Sequence, residues 1–350
     1  TEQQAKAYRL ADNKLNESDW DMDLVIEELK GLSTPLLDLT GFDRDLVLET
    51  DDKDDEVPPL PEKPRSKLGD LFELGPHRLL CGDSLNVEAV EKLMDGRKAD
   101  MVFTDPPYNV DYEGGGSNTS KKILNDKMSD SAFDTFLVEA FSRMHEAVKV
   151  SAGCYVFHSH KTATAFEGAL RKAGFTIDTQ LIWNKPSAGM GMNDYRTKHE
   201  PFFYCYVNKD KKSFYGDRSG TSVWKVPEND AKALQWFLKE MASLEGGGSS
   251  VWSMSRSNVQ GYVHPTQKPV ELCVKAITNS SKQEDIILDL FLGSGSTLIA
   301  AEKAGRICYG MELDPQFVDV IVTRYLQYTN GVTVIKNGKE VKWKYERQEN

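Results

Sequence analysis

Short apolar runs alternate with amphipathic ones over most of this chain. His77–Cys81, Met101–Phe103, Cys154–Phe157, Ile177–Trp183, Pro201–Val207, the run from Ile286 and Ile307–Met311 each read as a buried strand. Between them, apolar positions recur at helical spacing from about Val87 to Met94, Phe133 to Val150, Ala163 to Ala173, Val270 to Asn279, Leu298 to Ala304 and Phe317 to Leu326. That alternation predicts an α/β fold with a doubly wound, mostly parallel sheet, because parallel neighbours need a crossover helix between them. Near the start, Leu24, Val25, Ile26 and Leu29 suit a short amphipathic helix that Gly31 can end, and Asp43–Leu48 suits another. Val332–Tyr345 predicts a terminal hairpin turning at Asn337-Gly338.

Two predicted strand ends carry candidate chemistry. Met101-Val102-Phe103 runs into Asp105-Pro106-Pro107-Tyr108. Proline cannot donate to a ladder and holds the residue before it extended, so the strand stops in a stiff corner. Such a corner presents a carboxylate, backbone carbonyls free of ladder bonding and an aromatic ring. These can accept hydrogen bonds from an exocyclic amine and stack on a flat heterocycle; four residues alone would also fit an ordinary loop. The second strand end, Asp289-Leu290-Phe291-Leu292-Gly293-Ser294-Gly295-Ser296-Thr297, is a Gly-x-Gly turn into a helix, where the backbone can approach a ligand closely. The next strand ends in Glu312, an acid able to accept from ribose hydroxyls. The third glycine of a dinucleotide fingerprint is missing, and Asp289 would repel a pyrophosphate. An acid there suits a cationic cofactor such as S-adenosylmethionine.

Composition narrows the class further. No apolar run approaches the length of a membrane span and no signal-peptide pattern is present, so no membrane partner is expected. Cys81, Cys154, Cys205, Cys273 and Cys308 are scattered without metal-ligand spacing. They read as buried free thiols of a cytoplasmic protein, and no metal site is expected. The chain begins on Thr1, which suggests a start inside a longer protein. The net charge of −11 looks unsuited to nucleic acid until it is located: residues 1–63 hold 18 acids and 7 bases, and the remainder is balanced. A local basic face on that remainder is therefore permitted.

With Asp105-Pro106-Pro107-Tyr108, then His264-Pro265-Thr266-Gln267-Lys268-Pro269, then Asp289-x-Phe291-x-Gly293-Ser294-Gly295 in this order, the chain resembles the β class of amino DNA methyltransferases over roughly residues 68–330. The resemblance implies a seven-stranded, circularly permuted sheet whose seventh strand is antiparallel. It implies transfer of a methyl group from S-adenosylmethionine to the N6 amine of an adenine flipped out of double-stranded DNA. Asp105, Pro106, Pro107 and Tyr108 would be catalytic. Asp83, Ser84, Asp105, Lys268, Asp289, Phe291, Gly293, Ser294, Gly295, Thr297 and Glu312 would hold the cofactor, with Asp83 on its adenine and Lys268 near its methionine end. Asp83 or Ser84 could instead cap the helix that follows. N4-cytosine is the alternative target, since Ser is common in cytosine enzymes where Asp105 stands. A DNA-binding regulator with a degenerate enzyme domain, or an enzyme acting on an RNA or protein amine, are readings of other classes. A homodimer is compatible with the family.

The expected organisation is an acidic helical arm over 1–50, a linker over 51–67, a catalytic half over 68–207, a target-recognition region over 208–262, a cofactor half over 263–330 and a hairpin or tail over 331–350. Ala7–Asn13 followed by Trp20 resembles the tail of a ParB-like module. Asp51–Glu56 followed by Pro58-Pro59-Leu60-Pro61 has the charge and stiffness of a linker. Lys121 and Lys122 lie in a glycine-containing stretch, Tyr112–Asp130, that reads as a flap over DNA, and Arg196 lies in a candidate wall for the target base. His199, beside it, reads as a structural histidine. Lys211, Lys212, Arg218 and Arg256, interleaved with aromatic residues, read as DNA contacts.

Overall fold

In a computed structural model the alternating elements gather around one open sheet, with eleven strands among the described residues. The structure describes residues 2–14, 22–30, 34–40, 52–111, 126–185, 197–216, 251–253 and 267–345, with residues 32, 42, 47, 48 and 124. Residues 1–51 and 52–350 form separate units.

The strands of the larger unit are β1 (Leu71–Leu74), β2 (His77–Cys81), β3 (Ala99–Thr104), β4 (Val148–Phe157), β5 (Thr176–Asn184) and β6 (His199–Tyr206), followed by β7 (Val251–Ser253), β8 (Ile286–Asp289), β9 (Ile307–Glu312), β10 (Thr333–Lys336) and β11 (Lys339–Lys342). They lie in the order β11-β10-β1-β2-β9-β8-β3-β4-β6-β5-β7. From β2 through β9, β8 and β3 to β4 every neighbour is parallel. β6 lies antiparallel between β4 and β5. These seven strands are the sheet that the resemblance implies, with β6 as the reversed one. Among the described residues four further strands extend this sheet of seven to eleven. β1, β10 and β11 extend one edge through antiparallel pairing, and β7 joins β5 at the other. β1 and β7 are too short to leave a periodic signal in the sequence. The hairpin turns as expected, with Asn337 and Gly338 both at positive φ, and it docks on β1 through the pair Phe72 and Lys336.

Although β3 and β8 are far apart in the chain, they are neighbours, Met101 facing Ile287. The connection after β3 runs to one side of the sheet and the connection after β8 to the other. Their carboxyl ends therefore flank the switch point, where open α/β sheets place ligands.

The α-helices of this unit among the described residues are α4 (Val87–Met94), α5 (Asp130–Ala147), α6 (Ala163–Lys172), α7 (Val270–Ser280), α8 (Ser296–Lys303) and α9 (Pro315–Thr329). Phe136, Leu137 and Phe141 of α5 and Phe166 and Leu170 of α6 bury against Val102 and Val156 of the sheet. α5 stops at Ala147, short of the expected Val150, because Val148 already belongs to β4. The cap of α4 is Asn86, whose side chain accepts from Ala89 N at 2.7 Å. Neither Asp83 nor Ser84 fills that role.

The stretch expected as a linker is instead laid across the body from Asp52 onward. Asp54 pairs with Lys303 at 2.7 Å, and its carbonyl accepts from Arg324 at 2.8 Å. The Asp55 carboxylate accepts from Val270 N at 2.8 Å, capping α7 from outside the helix. Further along, Asp319 accepts from the backbone of Arg65 and Ser66. Charges that would repel in open solvent form caps and ion pairs here.

The smaller unit has α1 (Glu2–Lys14), α2 (Met22–Leu29) and α3 (Thr34–Thr40), with Ala7, Leu10, Val25, Leu29 and Leu32 buried together. Arg9 pairs with Glu28 across it at 2.8 Å. The expected helix over Asp43–Leu48 and Trp20 lie largely outside the described residues. All five cysteines are buried free thiols. Among the described residues no helix is long and apolar enough to cross a membrane, and no cluster could hold a metal ion.

Candidate active site

One cleft at the switch point is lined by both sequence motifs. Asp105, Pro106, Pro107 and Tyr108 form one wall, and Asp289, Phe291, Gly293, Ser294 and Thr297 form another. Asp83, Ser84, Lys268 and Glu312 close it. Gly295 does not line the cleft. It sits at φ 88° at the start of α8, and a Cβ there would meet Ile321 at 3.2 Å, so it serves the turn and the packing of α9.

On the glycine-turn side, Asp289 lies at the end of β8 and accepts from the Thr104 hydroxyl at 2.8 Å, the Thr297 hydroxyl at 2.7 Å and Phe291 N at 3.0 Å. It thereby ties β3, the turn and α8 into one piece. Burial lifts it to about 6, against those hydrogen bonds. Glu312, at the end of β9, accepts from Gly293 N at 2.9 Å and Asp314 N at 2.8 Å. Burial pushes it up to about 7, with Asp314 and Asp289 adding repulsion. Asp83 accepts from Leu85 N at 3.0 Å in a short turn that points the strand end into the cleft. Among the described lining residues six acids, Asp83, Asp105, Asp126, Asp289, Glu312 and Asp314, face a single lysine. This excess of negative charge fits a ligand that brings its own cations. Gln267 Oε1 is buried in the same cleft without a hydrogen-bond partner, while its amide nitrogen donates to the Asp55 carbonyl at 2.7 Å. A sulfonium and an ammonium group match that set of acceptors, so the residues present fit S-adenosylmethionine.

On the corner side, Asp105 is engaged at both oxygens, by Lys268 and by the Tyr108 hydroxyl. Sequence reasoning passed over the group behind them. Glu200, near the start of β6, lies 2.8 Å from the Tyr108 hydroxyl as an alternative acceptor for its proton, and pairs with Lys268 at 2.9 Å and Lys185 at 2.5 Å. Its burial favours the neutral acid, but Lys268 and Lys185 outweigh that and hold Glu200 well below the usual carboxylate range. Asp105 is raised by its own burial and by Glu200, against the pull of Lys268. Lys268 also lies 4.8 Å from the centre of the Phe157 ring. The Tyr108 ring packs edge-on to Phe166 with centroids 6.1 Å apart. Past the corner, Asn109 at φ 58° exchanges hydrogen bonds with the backbone of Met128, and Asp111 N donates to the Asp126 carbonyl at 2.9 Å. The two ends of the stretch read as a flap are thus joined beside the cleft.

The expected DNA contacts fare differently. Lys121, Lys122, Arg196, Arg218 and Arg256 lie outside the described residues, as does most of 208–262. Lys211 and Lys212 are not brought to the cleft. They follow Tyr206, which pairs with Gly153 and Thr176 at the amino ends of the parallel strands, whereas the cleft opens at the carboxyl ends. Lys212 is engaged by Asp178 at 3.1 Å and lies 4.6 Å from the Tyr206 ring centre. The basic run gave no sign of which end of β6 it would leave from. At the cleft end, Lys161 and Lys198 are exposed.

A doubly wound sheet with a reversed strand between β4 and β5, and a glycine turn and an acid-diproline corner in one acidic cleft, defines a group-transfer enzyme of the methyltransferase class. The sequence model of the family described as DNA methylase, of the N6 and N4 type, matches residues 99–323. The chain belongs to that family. DNA adenine methyltransferase YhdJ of Escherichia coli (strain K12) is 26% identical over 253 residues, covering 70% of this chain and 81% of that protein. Type II methyltransferase M.HinfI of Haemophilus influenzae is 27% identical over 256 residues, covering 69% of this chain and 67% of that protein. The solved structure of PvuII DNA methyltransferase, cytosine-N4-specific, shares the fold, with a TM-score of 0.51 and 14% identity over 77% of this chain and 97% of its own. The family match lies outside residues 1–50, so the ParB-like resemblance there gains no support.

Proposed function

We propose that this DNA methylase transfers a methyl group from S-adenosylmethionine to the N6 amine of adenine in double-stranded DNA. The observation that carries the reading is the shared cleft: the corner that can hold an amine and the turn that can hold a cationic cofactor face one another at the switch point. When bound, S-adenosylmethionine supplies an electrophilic methyl group on a sulfonium. The chain's own residues do the rest by orientation and charge. Gly293 and Ser294 let the cofactor approach the backbone, Glu312 and Asp83 accept from its ribose and adenine, and Gln267 accepts from its ammonium group. An adenine amine is a weak nucleophile because its lone pair is delocalised into the ring. Hydrogen bonds from the amine to the Asp105 carboxylate and the Pro106 carbonyl favour a pyramidal nitrogen whose lone pair is in line with the methyl group. The base must leave the duplex to reach this corner, and the Tyr108 ring is the surface on which it stacks.

Adenine is favoured by Asp105 at the first motif position and by the likeness to a relative named as an adenine enzyme. N4-cytosine is the second reading, since the matched family spans N6 and N4 enzymes. Digestion of DNA treated with the protein, followed by mass spectrometry, is expected to show N6-methyladenine; N4-methylcytosine alone would overturn the choice of base. Asp105→Ala is expected to reduce methyl transfer by about 10²- to 10³-fold with cofactor binding retained. Near-normal turnover in that variant would remove Asp105 from the mechanism. A cytoplasmic setting fits the buried free thiols. The family resemblance suggests a homodimer, which sedimentation velocity tests.

A further inference from the structure

Resting on that reading, the site poses a problem that the motif alone does not. Both oxygens of Asp105 are occupied, one by the Lys268 ammonium and one by the Tyr108 hydroxyl. Each oxygen keeps a second lone pair, but a target amine must share Asp105 with a donor already bonded to it, which weakens the hold of the carboxylate on the amine. A donor released inside a buried site needs another acceptor, or its hydrogen bond goes without compensation. Glu200 is already in place for this. It is 2.9 Å from Lys268 and 2.8 Å from the Tyr108 hydroxyl, and Lys185 anchors it from the far side at 2.5 Å. The Lys268 ammonium thus reaches both carboxylates at once, and the single Tyr108 proton has either of them as its acceptor. Around Glu200 the charged or titratable neighbours are Lys185 beyond β5, Lys268 before α7, Asp105 and Tyr108 beyond β3, and His158 beyond β4.

We propose that Glu200 is a positioning residue that takes over the Lys268 ammonium when a target amine binds, freeing an Asp105 oxygen to receive the amine. Lys268 shifts its hydrogen bonding from one carboxylate to the other while its charge stays neutralised. Tyr108 keeps one acceptor throughout, which holds its ring plane fixed for the incoming base. Without the second carboxylate, the Lys268 ammonium is held to Asp105 and competes with the substrate for it.

Glu200→Gln separates this role from packing, because the amide oxygen can still accept from Tyr108 but carries no charge to hold an ammonium. With unmethylated plasmid DNA and saturating labelled S-adenosylmethionine, the single-turnover rate of Glu200→Gln is expected to fall about 10- to 100-fold. Calorimetric cofactor affinity should stay within about twofold and the melting temperature close to that of the parent. Glu200→Asp, which keeps the charge, should recover part of the rate. The decisive arm is the Lys268→Ala background: with no ammonium to remove, Glu200→Gln should add less than about a threefold loss there. Full multiplication of the two effects, or an unimpaired Glu200→Gln enzyme, would overturn the proposal. If the unmodified chain transfers no methyl group to DNA, the functional reading itself falls, and this role of Glu200 with it.

Discussion

Asp289 and Glu312 are buried acids whose protonation falls near neutrality, at about 6 and about 7. In the unfolded chain both would titrate at ordinary carboxylate values, so between roughly pH 4 and pH 7 the folded, ligand-free protein binds more protons than the unfolded one. The stability these groups contribute is present below the unfolded values and is lost as pH rises through the folded ones. Melting of the ligand-free protein should therefore shift downward between pH 5 and pH 8 to the extent that these two groups dominate, and Glu312→Gln should flatten that trend. A cationic cofactor favours the ionised acids, so its binding at pH 7 should release protons. Calorimetry in buffers of different ionisation enthalpy reads this directly, and proton uptake instead would count against cationic recognition. At this scale the sequence was informative wherever a role belongs to a strand end. Asp83, Asp105, Asp289 and Glu312 each follow or end an apolar run and each reaches the cleft. It was silent on Glu200, whose partners come from beyond β3, beyond β5 and before α7 and share no spacing with it. Lys211 and Lys212 lie away from the cleft, which composition could not show, because it reports a charge and not the end of the sheet on which it sits.

Among the elements, the segment 52–67 departs most from its expected role. Its acids looked like self-repelling linker charge, yet Asp55 caps α7 and holds the Gln267 amide, while Arg324 joins the Asp54 carbonyl to the Ser294 carbonyl of the glycine turn at 2.8 and 2.9 Å. The segment therefore buttresses both sides of the cofactor cleft. Asp55→Ala should cost about 1 kcal/mol of stability, as loss of a helix cap does, measured by denaturant unfolding. It should also weaken cofactor affinity in calorimetry, because Gln267 and Lys268 adjoin the uncapped end. Unchanged affinity would reduce Asp55 to a cap alone. No local pattern could have revealed this, since a cap supplied from 215 residues away leaves nothing near α7 to read. The elements with strong periodicity, α4 to α9 and the buried strands, were legible to within a few residues, except that β4 begins at Val148 rather than at Cys154.

Across the molecule, chain order and spatial order part company: β3 and β8 lie side by side though 185 positions separate Thr104 from Asp289, whose side chains meet. The permuted sheet could be inferred from motif order, whereas its extra edge strands could not. The arrangement also says where DNA should lie, namely over the carboxyl ends of the strands. Lys161→Ala with Lys198→Ala should weaken DNA binding and flatten its salt dependence, by roughly one unit of log–log slope for each phosphate that is no longer neutralised. Lys211→Ala with Lys212→Ala should leave both nearly unchanged. The reverse pattern in a fluorescence-anisotropy titration would place the duplex on the opposite end of the sheet.

The stapled base formed by Asn109 with Met128 and by Asp111 with Asp126 has a further consequence. Because the chain leaves the reactive corner and returns to the same point, residues between the staples can change in length or kind without transmitting a pull to Asp105. Variation between the staples is thereby insulated from the corner, and related proteins could diverge in this stretch while inheriting Asp105 undisturbed.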